Sequence, residues 1–282
     1  MSLPSPQTIL RRLGLRPRKA WGQHFLLYPH QARRIVEAVE LTGVETVVEI
    51  GPGLGALTVF LAERAQKVIA LERDPALARF LEVDLFPGSA AVQVVCQDAL
   101  QFDFLGCARE IGQPLAVAGN LPYQITSPLL FKLLREKAAL SRAVLMVQEE
   151  VGDRLLAGPG SKDYGVPTVL AQYHFAITRL FSLGPANFYP PPQVASVVLR
   201  LTPDSLIPRA LDEETFTRVV KAAFAQRRKT LNNTLAARAN TLGLTPDQVR
   251  AALESLNIDP KRRGETLSPA QFVELSNRLG RG

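Results

Sequence analysis

Four short apolar runs rich in β-branched residues occupy the centre of the chain, and each ends in a polar or glycine-rich group. The run at 47–50 passes into Glu49-Ile50-Gly51-Pro52-Gly53-Leu54-Gly55, and the run at 68–71 ends at Glu72. The runs at 92–96 and 115–118 lead to Asp98 and Asn120. Counted from Gly51, successive ends lie 21, 26 and 22 residues apart. Each interval is about one strand plus one helix, so the pattern predicts βα units and a parallel sheet. Apolar runs without alternation suit strands covered on both faces. Helix candidates fall between them at 57–64 and 76–83, and at 128–135 behind the caps Thr126 and Ser127. A fifth strand is predicted at 143–147, and a late pair at 174–183 and 194–201, joined through Tyr189-Pro190-Pro191-Pro192.

With 282 residues the chain exceeds the size at which one hydrophobic core usually stops growing. After Thr202-Pro203-Asp204 only helical periodicity remains, broken at Gly243, Pro246, Pro260 and Gly264. The expected division is therefore 1–203, an α/β layer, and 204–282, a small all-α domain. No uncharged apolar run approaches the length that spans a bilayer, and the start MSLPSPQT has no apolar signal core. Cys96 and Cys107 are too few for a disulfide framework or a Cys-rich zinc site, and His30 and His174 have no metal-ligand spacing. The expectation is a cytoplasmic chain with no metal and no membrane partner.

The net charge of +7 is unevenly placed. Residues 1–40 carry +5, residues 41–200 carry −2 and residues 201–282 carry +4. The basic residues cluster at Arg11/Arg12, Arg16/Arg18/Lys19, Arg227/Arg228/Lys229 and Lys261/Arg262/Arg263. A single cluster is more often a solvated face, but two basic flanks around a near-neutral centre favour a nucleic-acid partner.

In open parallel sheets, ligands sit outside the carboxyl ends of the strands. Glycines at the first end let backbone approach a ligand, Glu72 suits a ribose diol, and Asp98 can accept from an adenine amino group. That combination describes a nucleoside site. The loop Gly51 to Ala56 also fits the looser dinucleotide fingerprint, so the glycines alone leave a nicotinamide dehydrogenase open.

The fourth strand end continues as Asn120-Leu121-Pro122-Tyr123. With Gly22-Gln23-His24-Phe25-Leu26, the Gly-rich loop, Asp98-Ala99, the segment 188–194 and the segment 224–231, this motif resembles the S-adenosylmethionine-dependent adenine-N6 methyltransferases of ribosomal RNA, in particular their small-subunit, kasugamycin-resistance branch. The resemblance covers nearly the whole chain. It implies a Rossmann-like methyltransferase sheet with a helical RNA-binding domain, and S-adenosylmethionine as methyl donor. Gln23, His24, Leu26, Gly51, Gly53, Glu72, Arg73, Asp98, Ala99 and Asn120 would then hold the cofactor. Asn120, Leu121, Pro122 and Tyr123 would act on the target base, with Phe188 as a second stacking aromatic. His24 stands where the family carries Asn, and Gln193 where many relatives carry Lys.

The chemistry asks for such a motif. An adenine N6 amine is a poor nucleophile because its lone pair is delocalised into the ring. If the Asn120 side-chain oxygen and the Leu121 carbonyl accept its two N–H bonds, the amine can pyramidalise towards the methyl donor. The methylated ammonium is strongly acidic, so no dedicated base is required. Arg16, Arg18, Lys19, Arg227, Arg228, Lys229, Lys261, Arg262 and Arg263 are the expected RNA contacts. The implied reaction is dimethylation of two adjacent adenosines near the 3′ end of 16S rRNA, by a monomer acting on the immature small subunit. Modification of a single adenosine in large-subunit rRNA, and a noncatalytic RNA-binding assembly factor, remain the competing functions.

Overall fold

The computed structural model describes residues 3–18, 21–203, 206–226 and 228–280, and the chain divides into two compact units. Unit 1 runs to Gly152 and resumes at Ile177–Pro203; unit 2 is Asp153–Ala176 and the chain from Asp204 onward. Unit 1 opens with α1 (Pro6–Arg12), β1 (Phe25–Leu26), α2 (Pro29–Glu37), β2 (Thr46–Ile50) and α3 (Thr58–Ala62). It continues through β3 (Lys67–Glu72), α4 (Pro75–Arg79), β4 (Val92–Cys96), α5 (Phe104–Ile111) and β5 (Leu115–Asn120). After α6 (Thr126–Arg135) and β6 (Leu140–Gln148), α7 (Glu149–Leu156) crosses into unit 2, which holds α8 (Val166–His174). Unit 1 closes with β7 (Ala176–Leu183), β8 (Phe188–Tyr189) and β9 (Ser196–Thr202).

The main sheet has seven strands in the order β4-β3-β2-β5-β6-β9-β7. β4, β3, β2, β5 and β6 are parallel, and β9 is antiparallel to β6. Val47 and Val48 point to opposite faces of β2, yet both are 0% exposed. Both faces of the sheet are therefore covered, which is why these strands read as unbroken apolar runs. Ile50 lies opposite Leu71 on one side and Gly119 on the other, and Glu72 lies opposite Cys96. This register brings the ends at Gly51, Glu72, Asp98 and Asn120 to one edge, at the point between β2 and β5 where the winding direction reverses.

Gly119 marks how closely β2 and β5 approach there: a Cβ at this position would lie 2.6 Å from the Ile50 carbonyl oxygen. Gly119→Ala must move backbone, and we expect it to cost about 1–3 kcal/mol. A urea titration measures this, and an unchanged midpoint would contradict the close approach.

Some elements differ from the sequence pattern. The helix expected at 76–83 stops as α4 at Arg79 and widens into a π turn over Phe80–Leu85. That turn brings Leu81 and Leu85 against Gly55, whose missing side chain leaves them room. The strand expected from 174 starts at Ala176, because His174 ends α8. A second, two-stranded sheet pairs β1 with β8, with Phe25 opposite Tyr189 and Leu26 opposite Phe188. Strands of two residues carry no periodicity, so nothing in the sequence pattern announces them.

Unit 2 is helical: α8 is joined by α9 (Glu213–Ala223), α10 (Leu231–Ala236), α11 (Ala239–Leu242), α12 (Pro246–Ser255) and α13 (Pro269–Leu279). Capping boxes start α12 at Thr245 and Gln248, and α13 at Ser268 and Gln271. The composition shift after Pro203 suggested a single cut there, whereas Asp153–Ala176 groups with the helices. The cause is aromatic: the Tyr173 ring lies 4.2 Å from Phe216, and the buried Tyr164 hydroxyl donates to the Leu267 carbonyl at 2.8 Å. Among the described residues, no helix is long and apolar enough to cross a membrane.

Candidate active site

The aligned strand ends open into one cavity of unit 1, walled by the loop after β2, the ends of β3 and β5, and the segment before β1. Gly51, Gly53 and Gly55 have φ of 67°, 57° and 82°, values that L side chains rarely adopt. At Gly53 a Cβ would also lie 3.1 Å from the Phe25 ring, so the loop is shaped for close backbone approach. The Gly53 N–H donates to Glu72 Oε2 at 3.0 Å, and the Asp74 N–H to Glu72 Oε1 at 2.8 Å. Glu72 is thereby fixed, with a further lone pair on each oxygen for a diol. Burial pushes its carboxyl up, while the two backbone donors oppose that rise. Asp98 uses Oδ1 to cap Leu100 N–H at 2.9 Å, and its Oδ2 lies 3.7 Å from Arg73 Nη1. Ala99 is buried beside it in the cavity wall.

The residues present fit an aminoacyl sulfonium nucleoside. Glu49 lies in the same wall, is 1% exposed, and its Oε2 has no hydrogen-bond partner among the described residues. A buried acceptor of this kind suits a donor or a cation on the ligand. Burial, reinforced by the charge of Glu72, raises Glu49 to about 8. A carboxyl raised on folding contributes stability that is full below its unfolded pKa and is lost as pH rises through the folded one. Wild-type protein should therefore lose stability relative to Glu49→Gln between about pH 4.5 and 8, by a few kcal/mol. Parallel melting curves for both proteins across that range would contradict the buried acid.

Asn120 sits where β5 ends. Its Nδ2 donates to the His24 carbonyl at 2.8 Å, which fixes the amide and leaves Oδ1 without a donor among the described residues. The next residue, Leu121, is 1% exposed and donates its N–H to the Met146 carbonyl at 3.0 Å. Among the described residues nothing donates to the Leu121 carbonyl, and Asn120 and Leu121 both line the cavity. Pro122 leads into a short 3₁₀ turn that sets Tyr123 in the wall, half-buried, with its hydroxyl 3.4 Å from Ser196 Oγ. Burial pushes the Tyr123 phenol up, so it stays neutral. His24 holds Pro190 O through Nδ1 at 2.7 Å, and its ring lies 5.5 Å from that of Tyr123. Gln23 lines the cavity with its amide engaged at both ends: Oε1 accepts from Arg18 N–H at 2.8 Å, and Nε2 donates to Asp74 Oδ2 at 3.4 Å. Leu26 also lines it, with its backbone in register with Phe188.

Phe188 belongs to the strand β8. It is 2% exposed and packs in the core cluster with Leu26 and Val198; Leu26, its partner across β1, lines the cavity. On β8 the side chains alternate, and Phe188 takes the inward face. Tyr123, by contrast, lines the cavity directly.

The basic residues divide. Arg16, Arg228, Lys229, Lys261 and Arg263 are exposed, while Lys19 and Arg227 lie outside the described residues. Arg18 is exposed too, with Nε 3.6 Å from Asp74 Oδ2 and its guanidinium over the Trp21 ring. Arg262 is half-buried and holds Thr266 through both its hydroxyl and its carbonyl. Within unit 2, Leu231 N–H donates to Arg262 O and Asn232 N–H to Pro260 O. Those bonds bring 228–229 and 261–263 onto adjoining segments. Trp21, Glu49, Asp74 and Gln97 were not singled out from sequence. The register that marked Asp98 could have flagged Gln97 and Asp74, each within two residues of a strand-end acid.

Fold and site together define a Rossmann-like S-adenosylmethionine-dependent methyltransferase. The family model of ribosomal RNA adenine dimethylase matches residues 14–280, and the chain belongs to that family. It is 47% identical over 281 residues to the ribosomal RNA small subunit methyltransferase A of Myxococcus xanthus, covering 99% of this chain and 96% of the relative. The protein of that name from Geobacter sulfurreducens is 46% identical over 273 residues, covering 96% and 98%. A dimethyladenosine transferase structure from Plasmodium falciparum superposes with a TM-score of 0.76 at 27% identity, covering 89% of this chain and 96% of that one. The 23S rRNA methyltransferase ErmE gives 0.69 at 27% identity, covering 91% and 99%. The chain is thus an rRNA adenine dimethyltransferase using S-adenosylmethionine, and membership displaces the dehydrogenase reading of the Gly-rich loop.

Proposed function

We propose that the enzyme converts two adjacent adenosines in a hairpin near the 3′ end of 16S rRNA to N6,N6-dimethyladenosine. It works in the cytoplasm as a monomer on the immature small subunit. The observation that carries the chemistry is the fixed pair of acceptors, Asn120 Oδ1 and the Leu121 carbonyl, beside Tyr123 at the cofactor edge. The bound cofactor supplies an electrophilic methyl on a sulfonium. Asn120 and Leu121 draw the N6 hydrogens into their plane and turn the nitrogen lone pair out of conjugation. They also stabilise the positive charge that grows on nitrogen. Tyr123 stacks on the extruded base, a contact worth roughly 1–3 kcal/mol. In the second round one N–H remains, so one acceptor suffices while the pocket admits the first methyl. Released protons pass to water.

Identity supports the small subunit: relatives named for it share 41–47% of residues, against 27% for the 23S enzyme. The exposed basic residues of α1's flank and of unit 2 supply phosphate contacts. Nucleoside mass spectrometry of both rRNAs from a deletion strain tests this reading. Dimethyladenosine should vanish from the small-subunit RNA alone, and loss from the large-subunit RNA would favour the single-adenosine reaction.

A further inference from the structure

The chain has one tryptophan, and it stands in the wall of the cofactor cavity. We propose that Trp21 closes the adenine end of that cavity and responds directly to cofactor binding. The Arg18 guanidinium carbon lies 4.3 Å from the Trp21 ring centroid, and that of Arg73 lies 5.4 Å from it. Each arginine is held in turn by an acid at the end of a strand. Arg18 Nε is 3.6 Å from Asp74 Oδ2, and Arg73 Nη1 is 3.7 Å from Asp98 Oδ2. Asp74 is only 3% exposed and also receives the Gln23 amide, so the segment carrying Trp21 is moored to a rigid post after β3.

Asp98 couples the ring to the ligand. Its Oδ1 already accepts from Leu100 N–H, so Oδ2, the oxygen facing Arg73, has more room to accept from an adenine amine. The Arg73 side chain is 57% exposed, and an exposed ion pair of this length is easily exchanged. An adenine amine that takes Oδ2 turns Arg73 onto the Trp21 face, where the cation–π contact strengthens as water leaves. Binding at Asp98 and closure by Trp21 are then one event. The assignment is independent of which adenosines are methylated, because it concerns the cofactor alone. Trp21 acts as a positioning residue, through Arg18 and Arg73.

Titration of the full-length protein with S-adenosylhomocysteine, followed by tryptophan emission and by calorimetry, tests this. Wild-type emission should change saturably, with the calorimetric midpoint. Trp21→Ala should weaken binding about tenfold and leave kcat at saturating cofactor within about twofold. Trp21→Phe, which keeps an aromatic face, should recover most of the affinity. Emission unmoved while calorimetry records binding would overturn the proposal. So would undiminished affinity in Trp21→Ala, or a Trp21→Phe protein as weak as the alanine variant.

Discussion

Asn120→Ala is expected to lower kcat by about a hundredfold to a thousandfold, while the Kd for S-adenosylmethionine moves by less than about threefold. The asymmetry follows from where the side chain acts. Its Nδ2 is spent on the His24 carbonyl, so the group that would meet substrate is Oδ1. An acceptor facing an amine gains most when the nitrogen becomes cationic, so its removal falls on the transition state more than on either ground state. Cofactor contacts at Glu72, Asp98 and the Gly-rich loop stay in place. Methyl transfer under saturating RNA and cofactor, with calorimetry for binding, separates the two quantities. Loss of cofactor affinity equal to the loss of rate would reassign Asn120 to simple cofactor binding.

Replacing Arg228, Lys229, Lys261 and Arg263 together by Gln should weaken RNA binding by about a hundredfold near 0.1 M salt. The slope of log K against log salt should flatten by about 3, since each lost phosphate contact removes a little under one unit. These four are exposed, and the 260–263 segment is bonded to the start of α10, next to the first two. Arg262 is left out because Thr266 already holds it. Filter binding across a salt series reads both numbers, and cofactor affinity should stay unchanged. A slope equal to that of the wild type would return these residues to an ordinary solvated face.

The cofactor edge was legible because its signal is a register. Gly51, Glu72, Asp98 and Asn120 each follow an apolar run, and parallel pairing such as Ile50 with Leu71 and Gly119 converts equal spacing into a common level. Side-chain type was legible where chemistry demands it, as at Asn120. Burial and partners were not. Phe188 matches a stacking motif by identity, and only the fold shows that it is 2% exposed and pairs with Leu26 on a two-residue strand. Arg18 and Arg262 count as charges in a sequence, and only the fold shows Asp74 and Thr266 taking them up. Neither the helix Val166–His174 nor its packing with Phe216 was legible, since that contact spans more than forty residues of sequence.

Mass spectrometry of rRNA after incubating immature small subunits with the enzyme and isotope-labelled S-adenosylmethionine bears most directly on the central claim. The predicted result is label in 16S rRNA alone, as N6,N6-dimethyladenosine at two neighbouring positions in the 3′-terminal hairpin, and its loss with Asn120→Ala. Label confined to a single adenosine, to monomethyladenosine, or to large-subunit RNA would contradict it.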